Sequence, residues 1–148
     1  MTWDGEFDLV YALEHTLGFM SADELIRHLQ CMWKAVKDGG WFLLQIPYTL
    51  EAEEATMPVH KWEFSDGRYT LVDKCIVEGN KKREQCVIID PGTNRIDEYF
   101  EEQRYYTWKE IIDLLNEAVV EQIKSLRDLS GHVASDGKEA KVFLGRKR

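Results

Sequence analysis

Two short apolar runs, FDLVYAL (7–13) and WFLLQIP (41–47), stand on either side of one amphipathic helix pattern. Each run is rich in aromatic and branched residues, which is typical of a buried strand. Between them, Ser21 to Glu24 has the form of a capping box, and apolar residues recur at helical spacing over residues 22–37. Gly39 and Gly40 end the helical pattern. A strand, a helix and a strand in this order predict a right-handed βαβ unit with parallel strands.

The middle of the chain has a different pattern. Three runs of β-rich composition, RYTLVDKCIVEG, REQCVIID and RIDEYFEEQ, are separated by turn signals at 79–80 and 90–94. They predict an antiparallel β-meander from Arg68 to Gln103, which a further strand at Lys61 to Phe64 can extend. A second capping box, Thr107 to Glu110, opens another helix, and the runs VVEQIKSL and KVFLGRK predict two closing strands.

Length and composition favour a single domain, 1–148, in which the meander is an insertion at about 60–104. The net charge of −8 disfavours nucleic acid as a partner, and no apolar run approaches the length of a membrane span. Three cysteines without CxxC spacing disfavour a disulfide framework and a metal site. We therefore expect a soluble, cytoplasmic protein whose partner is a small molecule or another protein.

Several candidate functional residues follow the predicted strands at their carboxyl ends, where open α/β sheets bind ligands. Glu14 and His15 come directly after the first strand and can act as a base and its orienting partner. The other candidates are aromatic or basic and are Tyr48, Trp62, Arg104, Tyr105 and Tyr106. For each, packing in the core or exposure in a loop is the alternative to a role in a site. In an extended segment, only one of Tyr105 and Tyr106 is expected to face inward.

The order of these elements resembles the second half of the class I S-adenosylmethionine-dependent methyltransferases that act on small molecules. The likeness rests on FDLV (7–10), the capped helix and VKDGGWFLL (36–44), where the family has a strand beginning FD and then LKPGG before the next strand. The meander, RYYT (104–107) with the following helix, and the closing strands extend it over residues 6–146. The resemblance implies an α/β fold. Its main sheet would be a partial Rossmann-like methyltransferase sheet, formed by the βαβ unit and the closing hairpin, and the antiparallel β-meander would be an insertion.

The resemblance also implies S-adenosylmethionine as the cofactor and methyl transfer to a small molecule as the activity, without a metal. In such an enzyme, Leu13 and Glu14 would contact the cofactor. The residues implied for catalysis are Glu14, His15, Tyr48 and Arg104, and those implied for substrate binding are Phe19, Trp62, Tyr105 and Tyr106. The meander is then expected to be a lid over the carboxyl ends of the two strands of the βαβ unit.

In the family, a Gly-rich turn and an acidic residue that bind the cofactor come before the region that this chain resembles, and the sequence contains no Gly-rich phosphate loop. The chain is therefore expected to be truncated, and to bind the cofactor weakly or not at all by itself. Three hypotheses stay open. The chain is a fragment completed by a separate N-terminal half, a non-catalytic remnant that binds a small molecule or a protein, or an enzyme rebuilt across a dimer.

The first strand carries a further expectation about assembly. In the family's sheet this strand is central, but here no strand precedes Phe7 to Leu13 in the sequence. An exposed apolar sheet edge readily pairs with another chain, and two-fold dimers are the commonest result. The sequence therefore predicts a homodimer or higher oligomer formed through this edge.

Overall fold

The structure is a computed structural model that describes residues 3–46, 49–50, 60–65 and 69–148, without the side chains of 14–16 and 60–65. The chain divides into two compact units, one formed by Met1–Glu54 with Tyr106–Arg148 and the other by Ala55–Tyr105. Elements of the first unit are β1 (Phe7–Ala12), a 3-10 helix (Glu14–Phe19), α1 (Ala22–Ala35), β2 (Val36–Gln45), α2 (Trp108–Glu117), β7 (Lys124–Leu126) and β8 (Val142–Arg146). Those of the second are β3 (His60–Ser65), β4 (Thr70–Glu78), β5 (Lys81–Asp90) and β6 (Arg95–Arg104).

The first unit contains a mixed sheet with strand order β1-β2-β8-β7. Strands β1 and β2 are parallel, with Val10 opposite Phe42, and α1 connects them. Strand β8 runs antiparallel to both β2 and β7. The predicted βαβ unit and closing hairpin are therefore confirmed, and the fold class is the mixed α/β class expected from the sequence.

Helix α1 begins as predicted but ends earlier. The Ser21 hydroxyl accepts a hydrogen bond from the Glu24 backbone N–H, which completes the capping box. The helix ends at Ala35 rather than near residue 37, because Val36 already has extended backbone and pairs with Phe7 of β1. The glycines after it belong to β2. A Cβ atom on Gly40 would lie 3.0 Å from the Asp8 carbonyl oxygen, so close pairing of the two strands requires glycine at this position.

Strand β1 was expected to be buried, but four of its six side chains are exposed and the other two are half-buried. The strand lies at the edge of the sheet, and Leu9 and Tyr11 are 48% and 59% exposed. Val10 and Ala12, which point to the opposite face, pack against the hydrophobic core. An apolar run alone does not distinguish a central strand from an edge strand, because burial of its second face depends on what lies beside it.

The core of the first unit lies between the sheet and the two helices. Its fully buried side chains include Phe42 and Leu44 of β2, Phe143 of β8 and Leu115 of α2. The rings of Trp33 and Phe42 meet edge to face, with centroids 6.4 Å apart. Helix α2 contributes the buried Ile111 and Leu115, whereas Trp108 at its start is 36% exposed.

The second unit contains an antiparallel sheet with strand order β3-β4-β5-β6. It confirms the predicted meander, including its additional strand at 60–65. The β5–β6 turn is held by the Asp90 carboxylate, which accepts hydrogen bonds from the Gly92 backbone N–H at 2.8 Å and the Thr93 hydroxyl at 2.8 Å. Asn94 has a φ of 56°, a conformation that asparagine tolerates better than most residues.

Gly145 of β8 offers a test of how tightly this strand packs. A Cβ atom there would lie 2.5 Å from Cγ1 of Val120 and 3.2 Å from the Glu121 carbonyl oxygen. Gly145→Ala is therefore expected to lower the free energy of unfolding by about 1–3 kcal/mol through overpacking. Urea denaturation measures this loss. Adding Val120→Ala, which removes the clashing methyl group, should recover part of the loss; a double variant that is no more stable than Gly145→Ala alone would contradict the packing explanation.

Candidate functional site

The carboxyl ends of the parallel strands β1 and β2 define the candidate site of the first unit. Strand β1 ends at Ala12 and strand β2 at Gln45. Because the two strands are parallel neighbours, the segments that follow them leave the sheet at the same edge. This placement is the one that the sequence predicts for Leu13, Glu14 and His15.

The segment after β1 carries four of the predicted site residues. Leu13 is 41% exposed and caps the 3-10 helix Glu14–Phe19, at whose other end Phe19 is 54% exposed. Glu14 and His15 lie in the first turn of this helix, while their side chains are outside the described part of the structure. The described backbone therefore brings the predicted cofactor and base residues into one short segment, with two exposed apolar side chains available for contact.

The segment after β2 is tied to the body of the first unit. The Ile46 N–H donates to the Lys141 carbonyl oxygen at 2.8 Å, and the Leu50 N–H donates to the Tyr106 carbonyl oxygen at 3.0 Å. The hydroxyl of the buried Thr49 donates to the Gly137 carbonyl oxygen at 2.6 Å. Tyr48, which was predicted to contribute to catalysis, lies outside the described residues.

The aromatic residues before α2 are both buried. Tyr105 is 2% exposed in the second unit, and Tyr106 is 8% exposed in the first and belongs to its core cluster. The expectation that only one of them faces inward is therefore wrong, because the segment that carries them leaves β6 before α2 begins and does not follow a single flat strand. Arg104 ends β6, and Trp62 lies in β3 with its side chain outside the description.

Two shallow grooves flank α1, and no pattern in the sequence indicates them. One, which we call the edge groove, has a volume of about 420 Å³ and is lined by β1 and α1 through Trp3, Phe7, Leu9, Tyr11, His28 and Met32, among others. The second has a volume of about 410 Å³ and is lined by Phe19, Met20, Glu24, Arg27, His28 and Cys31. His28 is half-buried and lines both grooves.

The amino terminus of α1 is already satisfied by its own side chains. The Ser21 backbone N–H and hydroxyl donate to the Glu24 carboxylate at 3.0 and 2.6 Å. These hydrogen bonds hold the pKa of Glu24 below its ordinary value, so the carboxylate is charged at neutral pH. A carboxylate at this position repels other anions, and the helix terminus is therefore not a site for the anionic part of a ligand.

Comparison with known proteins identifies the fold. No protein-family model and no curated protein sequence matches the chain. Among solved structures, it is similar to an S-adenosylmethionine-dependent methyltransferase from Clostridium acetobutylicum, with 14% identity, a TM-score of 0.70, and coverage of 99% of this chain and 59% of that chain. The sugar N-methyltransferase KedS8 from Streptoalloteichus gives 17% identity and a TM-score of 0.70, with coverage of 97% and 57%.

A third similar structure is the amino pentose methyltransferase CalS10 from Micromonospora echinaspora, solved with S-adenosylmethionine bound. It shares 17% identity with a TM-score of 0.67, and the alignment covers 97% of this chain and 59% of that one. The chain has a methyltransferase fold. It spans between one half and two thirds of the length of each of these three structures.

S-adenosylmethionine is the cofactor of solved methyltransferases to which this chain is similar. The cofactor carries ribose hydroxyls and a carboxylate, which need polar partners, and a sulfonium, which aromatic faces favour. At the carboxyl edge of β1 and β2, Leu13 and Phe19 offer exposed apolar side chains. The amino terminus of α1 offers no donor for the cofactor's carboxylate, because Glu24 is bound there by Ser21. Within the described part of the chain, these residues therefore do not by themselves fit the cofactor.

Proposed function

We propose that the chain forms part of an S-adenosylmethionine-dependent methyltransferase that acts on a small molecule. The observation that carries the proposal is the match of 97–99% of this chain to solved methyltransferases of which it covers 57–59%. Since the described residues do not fit the cofactor, the remaining contacts are proposed to come from outside this sequence. Either a separate N-terminal half or a second copy of the chain would supply them.

Within this proposal, residues of the chain act at the substrate. Glu14 and His15, at the carboxyl edge of β1, are proposed to accept and orient a proton of the substrate. Leu13 and Phe19 provide exposed apolar surface in the same segment. Tyr48 and Arg104 remain proposed contributors to catalysis. The aromatic residues Trp62, Tyr105 and Tyr106 remain proposed substrate contacts, and the lid role of the meander stays a prediction.

A homodimer through β1 is part of the proposal. Only β2 pairs with β1 among the described residues, so its other edge is open within the first unit. Beside this edge lies the apolar edge groove, with Leu9 48% and Tyr11 59% exposed. The outer strand β6 of the meander differs, because two acidic pairs, Asp97-Glu98 and Glu101-Glu102, flank its aromatic pair Tyr99-Phe100. Charges of one sign protect an edge from pairing with its own copy, whereas β1 carries one charge, Asp8, which forms an ion pair with Lys37.

The proposed location is the cytoplasm. The three cysteines are free thiols, one of them buried, as is usual for proteins in a reducing compartment. In the described parts of the chain, no helix combines the length and the hydropathy that a membrane span requires.

Titration with S-adenosylmethionine tests the source of the cofactor contacts. The purified chain is expected to give no saturable heat of binding in isothermal calorimetry at micromolar concentrations of protein and ligand, because the described residues offer few polar partners. Micromolar affinity at one site per chain would contradict the need for a separate half. If this affinity disappears when the protein is diluted, the second copy is the source of the missing contacts.

A second measurement tests the methyltransferase function itself. The chain is isolated from its natural source with its associated polypeptides, and the bound small molecules are identified by mass spectrometry. About one equivalent of S-adenosylmethionine or S-adenosylhomocysteine, together with transfer of a labelled methyl group to a small molecule, is the expected result. A preparation that contains neither cofactor and transfers no methyl group would favour a non-catalytic binding module.

A further inference from the structure

One face of the meander carries a groove with a volume of about 430 Å³, which we call the meander groove. It lies wholly in the second unit, over β4, β5 and β6. Its lining side chains come from two neighbouring rows of the sheet and share one face, because side chains alternate between the two faces of a sheet. They are Lys74, Gln85 and Phe100 in one row and Ile76, Arg83 and Glu102 in the next. The volume is typical of sites for small ligands.

The apolar part of the groove is formed by Phe100 and Ile76. Phe100 is 73% exposed, which is the highest exposure among the large apolar side chains that the structure describes. Ile76 is half-buried in the neighbouring row. An aromatic ring in this position can make stacked or edge-to-face contacts with a second ring. The groove therefore favours a ligand that contains a flat aromatic ring.

The carboxylates next to Arg83 already have cationic partners. Glu102 accepts hydrogen bonds from Nζ of Lys81 at 2.6 Å and from Nε of Arg83 at 3.0 Å. These two hydrogen bonds hold the pKa of Glu102 below its ordinary value, so the carboxylate is charged at neutral pH. Glu78 lies 3.2 Å from Nη1 of Arg83. The negative charges at this end of the groove are therefore balanced by cations of the same face.

Lys74 is the cation of the groove that lacks such a partner. Its side chain is exposed and forms no ion pair or hydrogen bond with any residue that the structure describes. Over β4, β5 and β6, this face carries four cations and three anions, which are Lys74, Lys81, Arg83 and Arg104 against Glu78, Glu98 and Glu102. Glu84 and Glu101 also border the groove, but alternation places their side chains on the opposite face. The unbalanced charge beside Phe100 is therefore positive, and the ligand that balances it carries a negative charge.

We propose that the meander groove binds a small aromatic carboxylic acid as its carboxylate. The ring of the acid packs on Phe100 and Ile76, and its carboxylate accepts hydrogen bonds from the Lys74 ammonium. Lys74 and Phe100 lie two strands apart in the same row, so their backbones are separated by roughly 10 Å, which the flexible lysine side chain and the ligand span together. An aromatic amine would bring a second positive charge to Lys74 and fits less well. None of the residues proposed for methyl transfer lines this groove, so the inference goes beyond the proposed function and does not depend on it.

Nuclear magnetic resonance titration with phenylacetate tests the inference. Phenylacetamide keeps the ring without the charge, and cyclohexylacetate keeps the charge without the aromatic ring. Phenylacetate is expected to give saturable shifts of the Lys74, Gln85 and Phe100 backbone amides, with an affinity about fivefold or more above that of either comparison. Absence of saturation, or an equal affinity for phenylacetate and one of the comparisons, would overturn the proposal. The titration needs no cofactor and measures no methyl transfer, so its result is independent of the methyltransferase function.

Two variants test whether the ligand lies in the meander groove. Lys74→Gln and Phe100→Ala are each expected to weaken phenylacetate binding about fivefold or more. Both side chains are exposed, so both variants are expected to stay folded. The matched controls are Lys124→Gln on β7 of the first unit and Tyr99→Ala on the opposite face of β6, where the tyrosine is 56% exposed. Unchanged affinity in either groove variant, or an equal loss in its control, would contradict the proposed site.

Discussion

Light scattering of the purified chain at micromolar concentration is expected to give a mass of twice the 17.3 kDa of one chain, or a higher multiple. The physical reason is the open, apolar edge of β1. Two copies related by a two-fold axis can join their β1 strands antiparallel and bury Leu9 and Tyr11, which are 48% and 59% exposed in the single chain. A mass of 17.3 kDa at this concentration would contradict the proposed dimer.

Two substitutions test whether the interface lies on β1. Val10→Pro removes a backbone donor from the strand, so it is expected to dissociate or precipitate the protein. Tyr11→Lys puts a charge on the edge and is expected to yield a folded monomer, with unchanged far-ultraviolet circular dichroism. The matched control is Tyr99→Lys on β6, where the tyrosine is similarly exposed at 56%. If Tyr11→Lys leaves the mass unchanged, the interface lies elsewhere.

Phe143→Ala is expected to lower the free energy of unfolding of the first unit by about 3–5 kcal/mol. Phe143 is fully buried in β8, opposite Leu44 of β2 and Ser125 of β7. Truncation removes its transfer free energy and leaves a cavity in the middle of the sheet. Because single domains are stabilised by only about 5–15 kcal/mol, this loss is a large share of the total.

Hydrogen exchange of the β2 amides measures this loss within the first unit, independently of the meander. The control is Phe19→Ala, since Phe19 belongs to the same unit and is 54% exposed. Its effect is expected to stay within about 0.5 kcal/mol. A comparable loss of unfolding free energy in both variants would mean that burial of Phe143 in the core does not explain its effect.

The elements of this protein follow from local patterns in the sequence. The capping boxes at Ser21 and Thr107 form as predicted, because their hydrogen bonds join residues only three positions apart. The turn at Asp90 likewise forms through its own side chain. The parallel connection of β1 to β2 is confirmed as well, since an intervening helix leaves few ways to return to the sheet.

The candidate site was predictable only in part. The position of Leu13, Glu14 and His15 at the carboxyl end of β1 follows from the strand that precedes them, whereas the 3-10 helix Glu14–Phe19 was not predicted. Burial of both Tyr105 and Tyr106 did not follow, because it depends on how the chain bends between β6 and α2. The sequence also did not show that Asp73 and Gln103, which are 30 positions apart, lie on one face of the meander, since only the registers of the strands bring them there.

The sequence alone therefore determined the helices, the strands and the order in which they follow one another, because these depend on periodicity and on contacts between near neighbours. Tertiary structure decided where α1 ends, how far each side chain of β1 is buried and which polar groups meet. Val36 leaves the helix to pair with Phe7, although the helical pattern continues past it. Pairing between distant segments fixes these features, and no local pattern encodes the neighbour that a strand will have.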